Sequence, residues 1–411
     1  MKIIIFLENI QCGGVDTFCE NLINHWPNKD DYFVFMCNES HPGLDNIKSN
    51  IKRQCDFISH VIPISWSMLK KLSPMIPRKI LRILSPLVRI YLLPIQFFKI
   101  KNIFQSNQGD VLLSVSGGYP GGETNRIASI VWGYIGRKGN VYNFHNLAQS
   151  PRFGLGWYEV ILDKLLSKHV DLFIGVSKIC TNSLRVRSTF ETLDNLKHVY
   201  NGVNVTINSK NSVDIHSMFN IPNDAFICLM LATYEKRKGH EFIFKAFKMA
   251  SKNISNMHLV ICGGGNEDEI REVEILKSNL IPNYNVHLTG FIPNGSKLIG
   301  QSNILLIGSQ ELESFGLTAI EAMQQEVPVI STNIGGLPEV IGNDGECGFL
   351  TEKNDIEKFA NNIVELYTNK ILYKRVVRNA KSRFLDKFTP EKMAIQYMDE
   401  FILLKNKESE R

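Results

Sequence analysis

Short apolar runs rich in Val, Ile and Leu alternate with longer helical patterns along the chain, in two separate series. The first series has candidate strands at 2–7, 32–36, 111–115, 141–144, 172–176 and 197–200. The second has candidate strands at 225–232, 258–262, 286–289, 304–307 and 327–330. Strands that alternate with helices form parallel α/β sheets, so each series predicts one doubly wound, Rossmann-like domain. Ligands of such folds bind at the carboxyl ends of the strands, and we expect the two domains to face each other across a cleft there.

The composition between the two series predicts where the domains end. We expect an N-terminal domain at 1–203 and a polar linker rich in Asn and Ser at 204–223. A C-terminal domain at 224–388 follows. A last helix at 389–411 begins after Thr389, a good N-cap, with Pro390 at its first position. We expect this helix to cross back to the N-terminal domain.

Composition and cysteine spacing exclude several protein classes. Hydrophobic residues make up 44% of the chain and charged residues 21%, which is typical of a globular protein and not of a disordered one. The eight cysteines form no C-x-x-C pair, so we expect neither a disulfide framework nor a zinc site. The apolar run at residues 3–7 is too short for a signal peptide, and no run is long enough for a transmembrane helix.

The stretch from Glu313 to Glu321, E-S-F-G-L-T-A-I-E, is the strongest chemical signal. It predicts a loop and then a helix that opens at Gly316, followed by a strand and the glycine turn Gly335-Gly336. The first N–H groups of that helix, at Gly316, Leu317 and Thr318, form an anion site suited to a diphosphate. The two carboxylates are placed to accept hydrogen bonds from sugar hydroxyls on either side of it. The alternative is that both are solvated charges at a helix end.

Three weaker signals follow predicted strands. The loop from Thr233 to His240, T-Y-E-K-R-K-G-H, offers the Lys238 ammonium to a phosphate, or is a solvated basic turn. Gly14 belongs to a glycine pair that lets the backbone approach a phosphate, or that serves a turn alone. His145 ends a strand with a polar tip directed at the cleft, or is a structural histidine.

These residues resemble glycosyltransferase family 4, whose members are retaining enzymes of the GT-B fold. The resemblance implies that Glu313 contacts the donor sugar and that Glu321 holds the ribose hydroxyls. It implies that the backbone at 315–317 meets the diphosphate and that Lys238 matches the lysine of the family's phosphate loop, G-R-L-x-x-x-K-G. Thr233 stands where many members have Arg, so one cation is missing there or Arg237 or Lys236 replaces it.

The resemblance also implies that the N-terminal domain at 1–203 lies on the acceptor side and that the C-terminal domain at 224–388 binds the nucleotide-sugar. It implies roles for residues outside these motifs as well. Gly14 would reach the donor phosphates, His145 would lie near the reacting sugar, and the base would stack at the neutral loop of Phe291 and Ile292. The predicted catalytic residues are Lys238, Glu313 and His145. The predicted donor-binding residues are Gly14, Thr233, Arg237, Lys238, Phe291, Ile292, Glu313, Phe315, Gly316, Leu317 and Glu321.

The activity implied by the family is transfer of a hexosyl or N-acetylhexosaminyl group from a nucleotide-sugar to a glycan hydroxyl. UDP is the expected nucleotide and GDP the alternative. We expect no cofactor, and no metal because Asp-x-Asp is absent. The expected acceptor is a glycan, carried on a polyprenyl diphosphate, in surface polysaccharide assembly. The alternatives are a same-fold epimerase or phosphorylase, an NAD-dependent oxidoreductase, and a non-catalytic membrane-binding protein. Nucleic acid is not an expected partner.

The segment at 63–107 carries an uneven charge. Between Pro63 and Gly109 there are eight basic residues and no acidic one. Spacings of four and seven place Arg78, Arg82 and Arg89 on one helical face, and Pro86 and Pro94 predict short helices rather than one rod. Such a patch suits the anionic inner face of the cytoplasmic membrane, so we expect a cytoplasmic, peripherally bound protein. The alternative is a helix packed on the sheet with a solvated basic stripe.

Overall fold

The computed structural model describes residues 1–10, 12–72, 78–152, 156–204, 214–282 and 284–409. The chain divides into two compact units. Unit 1 contains Met1–Asn201 and Pro390–Arg411, and unit 2 contains Gly202–Thr389.

Unit 1 is built on a parallel sheet that has seven strands among the described residues. Its strands are β1 (Lys2–Glu8), β2 (Tyr32–Asn38), β3 (Cys55–His60), β4 (Val111–Ser116), β5 (Asn140–Phe144), β6 (Leu172–Gly175) and β7 (Leu196–His198). The strand order is β3-β2-β1-β4-β5-β6-β7. In the central register Ile5 lies opposite Phe35 on one side and Leu113 on the other. The central strands are buried on both faces, which explains their continuous apolar sequence.

Helices cover both faces of this sheet. They are α1 (Gly14–Asn24), α2 (Leu44–Asn50), α3 (Ser65–Leu72), α4 (Arg78–Ser106), α5 (Glu123–Tyr134), α6 (Gly156–His169) and α7 (Lys178–Ser183). The apolar faces of α1 and α2 pack on one side of the sheet, through Phe18, Leu22 and Ile47.

Unit 2 contains a second parallel sheet, with the strand order β10-β9-β8-β11-β12-β13. Its strands are β8 (Phe226–Leu231), β9 (Met257–Cys262), β10 (Val286–Gly290), β11 (Ile304–Ile307), β12 (Val329–Thr332) and β13 (Phe349–Thr351). Its helices are α8 (Ile215–Phe219), α9 (His240–Ala250), α10 (Glu267–Leu280), α11 (Leu317–Gln324), α12 (Leu337–Ile341), α13 (Ile356–Thr368) and α14 (Lys370–Lys387). The core is formed where α9 and α13 pack against β8, β9 and β11.

The last helix, α15 (Pro390–Ser409), belongs to unit 1. It buries Tyr397 and Phe401 in the same core as α1. The Tyr397 hydroxyl accepts a hydrogen bond of 2.8 Å from Asn143 Nδ2 on β5. The Phe401 ring lies 5.5 Å from the Trp26 ring. Packing therefore attaches this C-terminal helix to the N-terminal sheet.

The predicted fold class, two Rossmann-like doubly wound α/β domains, is confirmed. Strands β3 and β13 were not predicted. The predicted linker at 204–223 contains α8, and its residues 205–213 lie outside the described part of the chain.

The prediction of short helices in the basic segment is wrong, because α4 runs continuously from Arg78 to Ser106 through Pro86 and Pro94. A proline inside a helix costs about 3 kcal/mol. Packing offsets that cost, since α4 contacts α3 and α5 and buries Leu92, Ile100 and Phe104. No helix in the described ranges is long and apolar enough to span a bilayer.

Arg89 does not lie on a free basic stripe. Its Nε is 3.0 Å from Glu123 Oε1 on α5 and 3.3 Å from Ser65 Oγ, and its side chain is mostly buried. The side chains of Arg78 and Arg82 lie outside the described part of the structure. Arg89 is therefore not available for the lipid contact predicted from the three arginines, because Glu123 neutralises the charge of Arg89 within unit 1.

Candidate active site

The order of strands in unit 2 creates a crevice between β8 and β11. From β8 the chain continues to β9 and β10 on one side of the sheet, and then returns to form β11 on the other side of β8. The direction of winding therefore reverses between β8 and β11, which makes this position a topological switch point. Open α/β sheets bind ligands at such a point, beyond the carboxyl ends of the strands. The loop 232–239 follows β8 and the loop 308–316 follows β11. These two loops carry the strongest sequence motifs.

The two loops are held against each other by backbone contacts. Gln310 N donates a hydrogen bond of 2.7 Å to Arg237 O. Gly239 has a φ of 76°, and a Cβ placed there would lie 1.9 Å from the carbonyl oxygen of Gly308. Only glycine tolerates both the left-handed conformation and this approach. The contact between the loops thereby explains the glycine of the K-G pair in the phosphate-loop motif.

Lys238 and Glu313 meet at this junction. Lys238 Nζ donates a hydrogen bond of 2.7 Å to Glu313 Oε2, and the side chains are 18% and 17% exposed. The same carboxylate oxygen accepts a hydrogen bond of 3.0 Å from Ser309 Oγ. Ser309 is in turn fixed by Thr332 Oγ1, which donates to its carbonyl oxygen at 2.6 Å. The result is a partly desolvated ammonium–carboxylate pair with a buried hydroxyl behind it.

Arg237 is engaged by a carboxylate of its own loop. Its Nε and Nη2 donate to the two oxygens of Glu235 at 2.6 and 3.0 Å. Thr233 Oγ1 donates to Glu235 Oε1 at 2.7 Å. These contacts, with the hydrogen bond from Arg237 the largest cause, lower the pKa of Glu235 below its ordinary value. Lys236 is exposed. Arg237 can therefore reach a phosphate only by leaving or sharing Glu235.

The loop from Glu313 to Gly316 leads into α11, whose first N–H groups have no partner within the helix. Gly336 N donates to Glu313 O at 2.8 Å, and a Cβ on Gly335 would lie 1.9 Å from that same oxygen. The Phe315 ring is buried 5.9 Å from the Phe388 ring. Phe315 can therefore offer a ligand its backbone but not its ring.

Glu321 lies one turn into α11 and is largely buried. Burial disfavours the charged carboxylate and raises its pKa to about 7. A carboxyl group with such a pKa in an α/β crevice is a candidate for a functional role.

Two further loops line the same edge of the sheet on the side of β10. Phe291 directly follows β10 and is 78% exposed, and Ile292 follows it partly exposed. The glycine run 263–265 follows β9 and connects the neighbouring loops. Gly263 N donates to Gly290 O at 3.0 Å, and Tyr234 N donates to Gly264 O at 2.9 Å. Gly264 lies beside Phe291, where a Cβ on the glycine would be 3.4 Å from the Phe291 Cβ, so a planar base could stack on the exposed Phe291 ring with no side chain of Gly264 in its way.

Gly14 and His145 lie in unit 1, at the carboxyl ends of β1 and β5. Gly14 is the first residue of α1, where Asp16 Oδ2 accepts a hydrogen bond of 3.2 Å from Gly13 N. His145 is buried with its ring 4.6 Å from the Phe18 ring, and its Nε2 has no hydrogen-bond partner. Burial lowers the pKa of His145 to about 3, so the imidazole is neutral near pH 7. His145 can exchange hydrogen bonds with a hydroxyl but is not a cationic acid.

The structure adds two elements that the sequence reasoning missed. Ser309 supports Glu313, and the glycine run 263–265 lies between the loops of Thr233 and Phe291. The glycine run could have been found as three consecutive glycines directly after a strand. Ser309 had no comparable signal, because its importance depends on its contact with Glu313. Within the described residues, no group of three or more His, Cys, Asp or Glu side chains is arranged to hold a metal ion.

The family model described as "Glycosyl transferases group 1" matches residues 213–383. Among curated proteins, the chain is 27% identical over 203 residues to the N-acetyl-alpha-D-glucosaminyl L-malate synthase of Bacillus anthracis, which covers 49% of this chain and 52% of that protein. It is 30% identical over 170 residues to the capsular polysaccharide biosynthesis glycosyltransferase CapM of Staphylococcus aureus, covering 41% and 44%. The chain therefore spans about half the length of these curated relatives.

Solved structures match over nearly the whole chain. The Anabaena protein HepE, crystallised in complex with UDP, superposes with a TM-score of 0.73 at 16% identity, covering 98% of this chain and 100% of that one. The sucrose-phosphate synthase of Thermosynechococcus elongatus superposes with a TM-score of 0.70 at 18% identity, covering 98% of each chain. At these identities the likeness concerns the fold. Residues 213–383, which carry the Lys238–Glu313 pair and Glu321, match the model of the glycosyl transferases group 1 family, in a chain that has the GT-B fold.

Proposed function

We propose that this protein is a retaining glycosyltransferase that moves a sugar from a nucleotide-sugar to a hydroxyl of a glycan acceptor. The observation that carries the proposal is the Lys238–Glu313 pair, 2.7 Å apart, beside the N-terminus of α11 at the switch point of the second sheet. A cation and a helix N-terminus together attract a diphosphate. Glu313 and Glu321 then supply carboxylates for hydroxyls on either side of it.

The geometry supports catalysis by stabilisation of the leaving group. As the bond between sugar C1 and the phosphate oxygen breaks, negative charge grows on the diphosphate and the sugar gains oxocarbenium character. Lys238 Nζ has three donors, so it can keep its bond to Glu313 while it donates to a phosphate oxygen. The N–H groups at the start of α11 add a fixed positive potential that needs no reorganisation.

Retention follows in this proposal from attack on the face that the diphosphate leaves. The acceptor oxygen forms its bond to C1 as the donor bond breaks, and the acceptor proton passes to the departing phosphate oxygen. This path needs neither a covalent intermediate nor a metal. His145, neutral and partly free to hydrogen bond, would hold a sugar hydroxyl.

UDP is the proposed nucleotide. HepE was crystallised with UDP and with UDP-glucose, and the exposed ring of Phe291 beside the glycine run 263–265 offers a stacking surface for a base. Two curated relatives are named for N-acetylglucosamine chemistry. We therefore propose transfer of a hexosyl or N-acetylhexosaminyl group, with Gly14, Thr233, Arg237 and Ile292 as further donor contacts.

The proposed acceptor is a glycan carried on a polyprenyl diphosphate at the inner face of the cytoplasmic membrane. The name of the capsular polysaccharide relative supports a role in surface polysaccharide assembly. The acid-free basic segment between Pro63 and Gly109 supports an anionic membrane surface as the place of work.

A thermal-shift panel of UDP- and GDP-sugars tests the donor. A donor present at about 100 times its Kd stabilises the folded protein by about 2.7 kcal/mol, which raises the Tm by several degrees. We expect UDP-sugars to give this shift with and without EDTA, and NAD to give none. A shift with NAD alone would favour an oxidoreductase. Conversion of the UDP-sugar to its epimer without acceptor would favour an epimerase.

The affinity for the UDP-sugar should depend on pH through Glu321. Its ionised carboxylate accepts hydrogen bonds from ribose hydroxyls, and its pKa is raised to about 7. We expect the Kd for UDP-glucose to be about tenfold higher near pH 6 than near pH 8, because the ionised fraction falls about tenfold across that interval. Isothermal titration calorimetry at the two pH values measures this.

The control for this pH dependence is Glu321→Gln, which cannot ionise. Its Kd should be higher than that of the wild type near pH 8 and nearly constant with pH. UDP-glucose is the right ligand because its diphosphate is esterified at both ends and does not titrate near neutral pH, whereas the terminal phosphate of free UDP itself titrates near pH 6. An unchanged pH dependence in the variant would exclude Glu321 as its source.

A further inference from the structure

Two helices of unit 1 expose apolar side chains that unit 1 leaves uncovered. On α4 these are Leu87, Tyr91 and Phe98, and on α6 they are Trp157, Ile161 and Leu165. Their exposed fractions lie between 37% and 66%. Spacings of four, seven and eleven on α4, and of four and eight on α6, keep each set on one side of its helix. We call this surface, defined by these six residues, the α4–α6 face.

A groove of about 270 Å³ runs between the two helices of this face. Its lining is entirely apolar: Leu93, Pro94, Phe97 and Phe98 from α4, Ile127 and Ile130 from α5, and Leu162 and Leu165 from α6. Large exposed apolar side chains around an apolar groove are unusual on a protein surface that faces water. They mark a binding site for an apolar ligand, another protein or a membrane.

The exposed charged side chains that α4 and α6 carry near the α4–α6 face are lysines. Lys99, Lys164 and Lys168 are exposed on α4 and α6. The acidic residues on the described parts of α3 to α6 are Glu123, Glu159 and Asp163, and all three are paired with arginines inside unit 1. An apolar face edged by lysines and without an exposed carboxylate complements an anionic lipid surface, where apolar side chains enter the lipid and lysines meet the headgroups.

We propose that the α4–α6 face docks on an anionic lipid bilayer and that its groove receives a lipid hydrocarbon chain. The proposal rests on the proposed function, since it makes the acceptor lipid-linked. It differs from the prediction made from the basic segment alone. The contact uses the aromatic and aliphatic side chains of both helices, and α6 lies outside that segment.

Tryptophan fluorescence tests insertion directly. Of the four tryptophans, Trp26 and Trp132 are buried at 3% and 0% exposure, while Trp66 and Trp157 are exposed. In a Trp66→Phe background, Trp157 is therefore the exposed reporter. With phosphatidylglycerol vesicles that contain brominated acyl chains, we expect Trp157 emission to fall at least about twofold, because interfacial helices bury their apolar face about 5–10 Å deep. Phosphatidylcholine vesicles should quench it much less.

Charge substitutions give a second measurement by vesicle flotation. Ile161→Glu and Tyr91→Glu change exposed positions, so both variants should fold, and each should lower vesicle binding at least about tenfold. The matched control is Ile371→Glu, an exposed apolar position in unit 2, which should bind like the wild type.

The outcomes separate this inference from the proposed function. Wild-type affinity for UDP-glucose without vesicle binding, or vesicle binding without quenching of Trp157, would overturn the docking proposal and leave the donor chemistry intact. If the protein bound vesicles and Trp157 was quenched but no nucleotide-sugar bound, the docking proposal would stand and the proposed glycosyltransferase activity would be overturned. Sedimentation showing a lipid-free dimer that Ile161→Glu dissociates would assign the face to a second copy of the chain.

Discussion

Replacement of Lys238 by alanine is expected to lower kcat by about 10²–10³-fold while the KM for the nucleotide-sugar changes by much less. The ammonium lies 2.7 Å from Glu313 Oε2, so a carboxylate of the site already balances its charge. Its effect on phosphate is therefore greatest when the diphosphate gains charge in the transition state. Removal of an electrostatic donor of this type costs about 2.7–4 kcal/mol of transition-state stabilisation.

Steady-state kinetics with a UDP-sugar measure this effect, and two variants make it interpretable. Lys245→Ala removes an exposed lysine of the same unit, paired with Glu241 at 2.6 Å, and should leave kcat unchanged. Glu313→Gln retains a hydrogen-bond acceptor for Lys238 but loses the carboxylate that would hold the sugar. Glu313→Gln alone should lower kcat. Adding Glu313→Gln to Lys238→Ala should not restore the kcat that the Lys238 variant has lost. Wild-type turnover in Lys238→Ala would remove Lys238 from the catalytic residues.

Arg187→Met is expected to destabilise the protein by about 3–5 kcal/mol, the cost of leaving buried charges without their partner. Arg187 is fully buried in unit 1, and its Nε and Nη2 lie 2.7 Å from Asp163 and 2.9 Å from Glu159. Its Nη1 donates to Gln149 O at 2.9 Å, and its guanidinium lies 5.2 Å from the centre of the Tyr119 ring. Methionine fills the space of the arginine but leaves the carboxylates of Asp163 and Glu159 buried without it. Among the described residues, no other cation is bonded to Asp163.

Urea unfolding followed by circular dichroism measures the loss, with Arg185→Met as the control. Arg185 is exposed two residues away and, within the described part of the chain, donates to the carbonyl oxygens of Glu191 and Leu193, so its loss should cost under about 1 kcal/mol. Combining Arg187→Met with Glu159→Gln and Asp163→Asn removes all three charges and should recover part of the stability. If the single Arg187 variant unfolded at the wild-type urea concentration, the ion cluster would contribute nothing to stability.

Much of the fold could be predicted because buried parallel strands have a simple signature. The interiors of β1, β8 and β11 are continuous apolar runs, since helices cover both faces of their sheets. β3 was missed because Cys55–His60, C-D-F-I-S-H at the edge of the sheet, shows neither a continuous apolar run nor a regular alternation of polar and apolar residues. β13, with three residues, is too short for any periodicity to be detected.

The continuity of α4 shows the limit of local rules. Pro86 and Pro94 correctly indicate a local cost, but packing against α3 and α5 outweighs it. The same packing assigns Arg89 to Glu123 and leaves Tyr91 and Phe98 exposed. Helical spacing alone placed the arginines on one face without showing which face would be buried.

The sequence by itself determined the two α/β series and the order of the loops that follow their strands. It also determined that the loops after β8 and β11 carry the motifs with Lys238, Glu313 and Glu321. Only the tertiary structure decided that Lys238 and Glu313, 75 residues apart, share an ion pair with Ser309 behind it, and that Arg187 holds two buried carboxylates. The physical reason is that hydrophobic periodicity and secondary-structure propensity depend on neighbouring residues in the chain. Charge pairing and desolvation depend on distances between loops that only the packed sheets bring together.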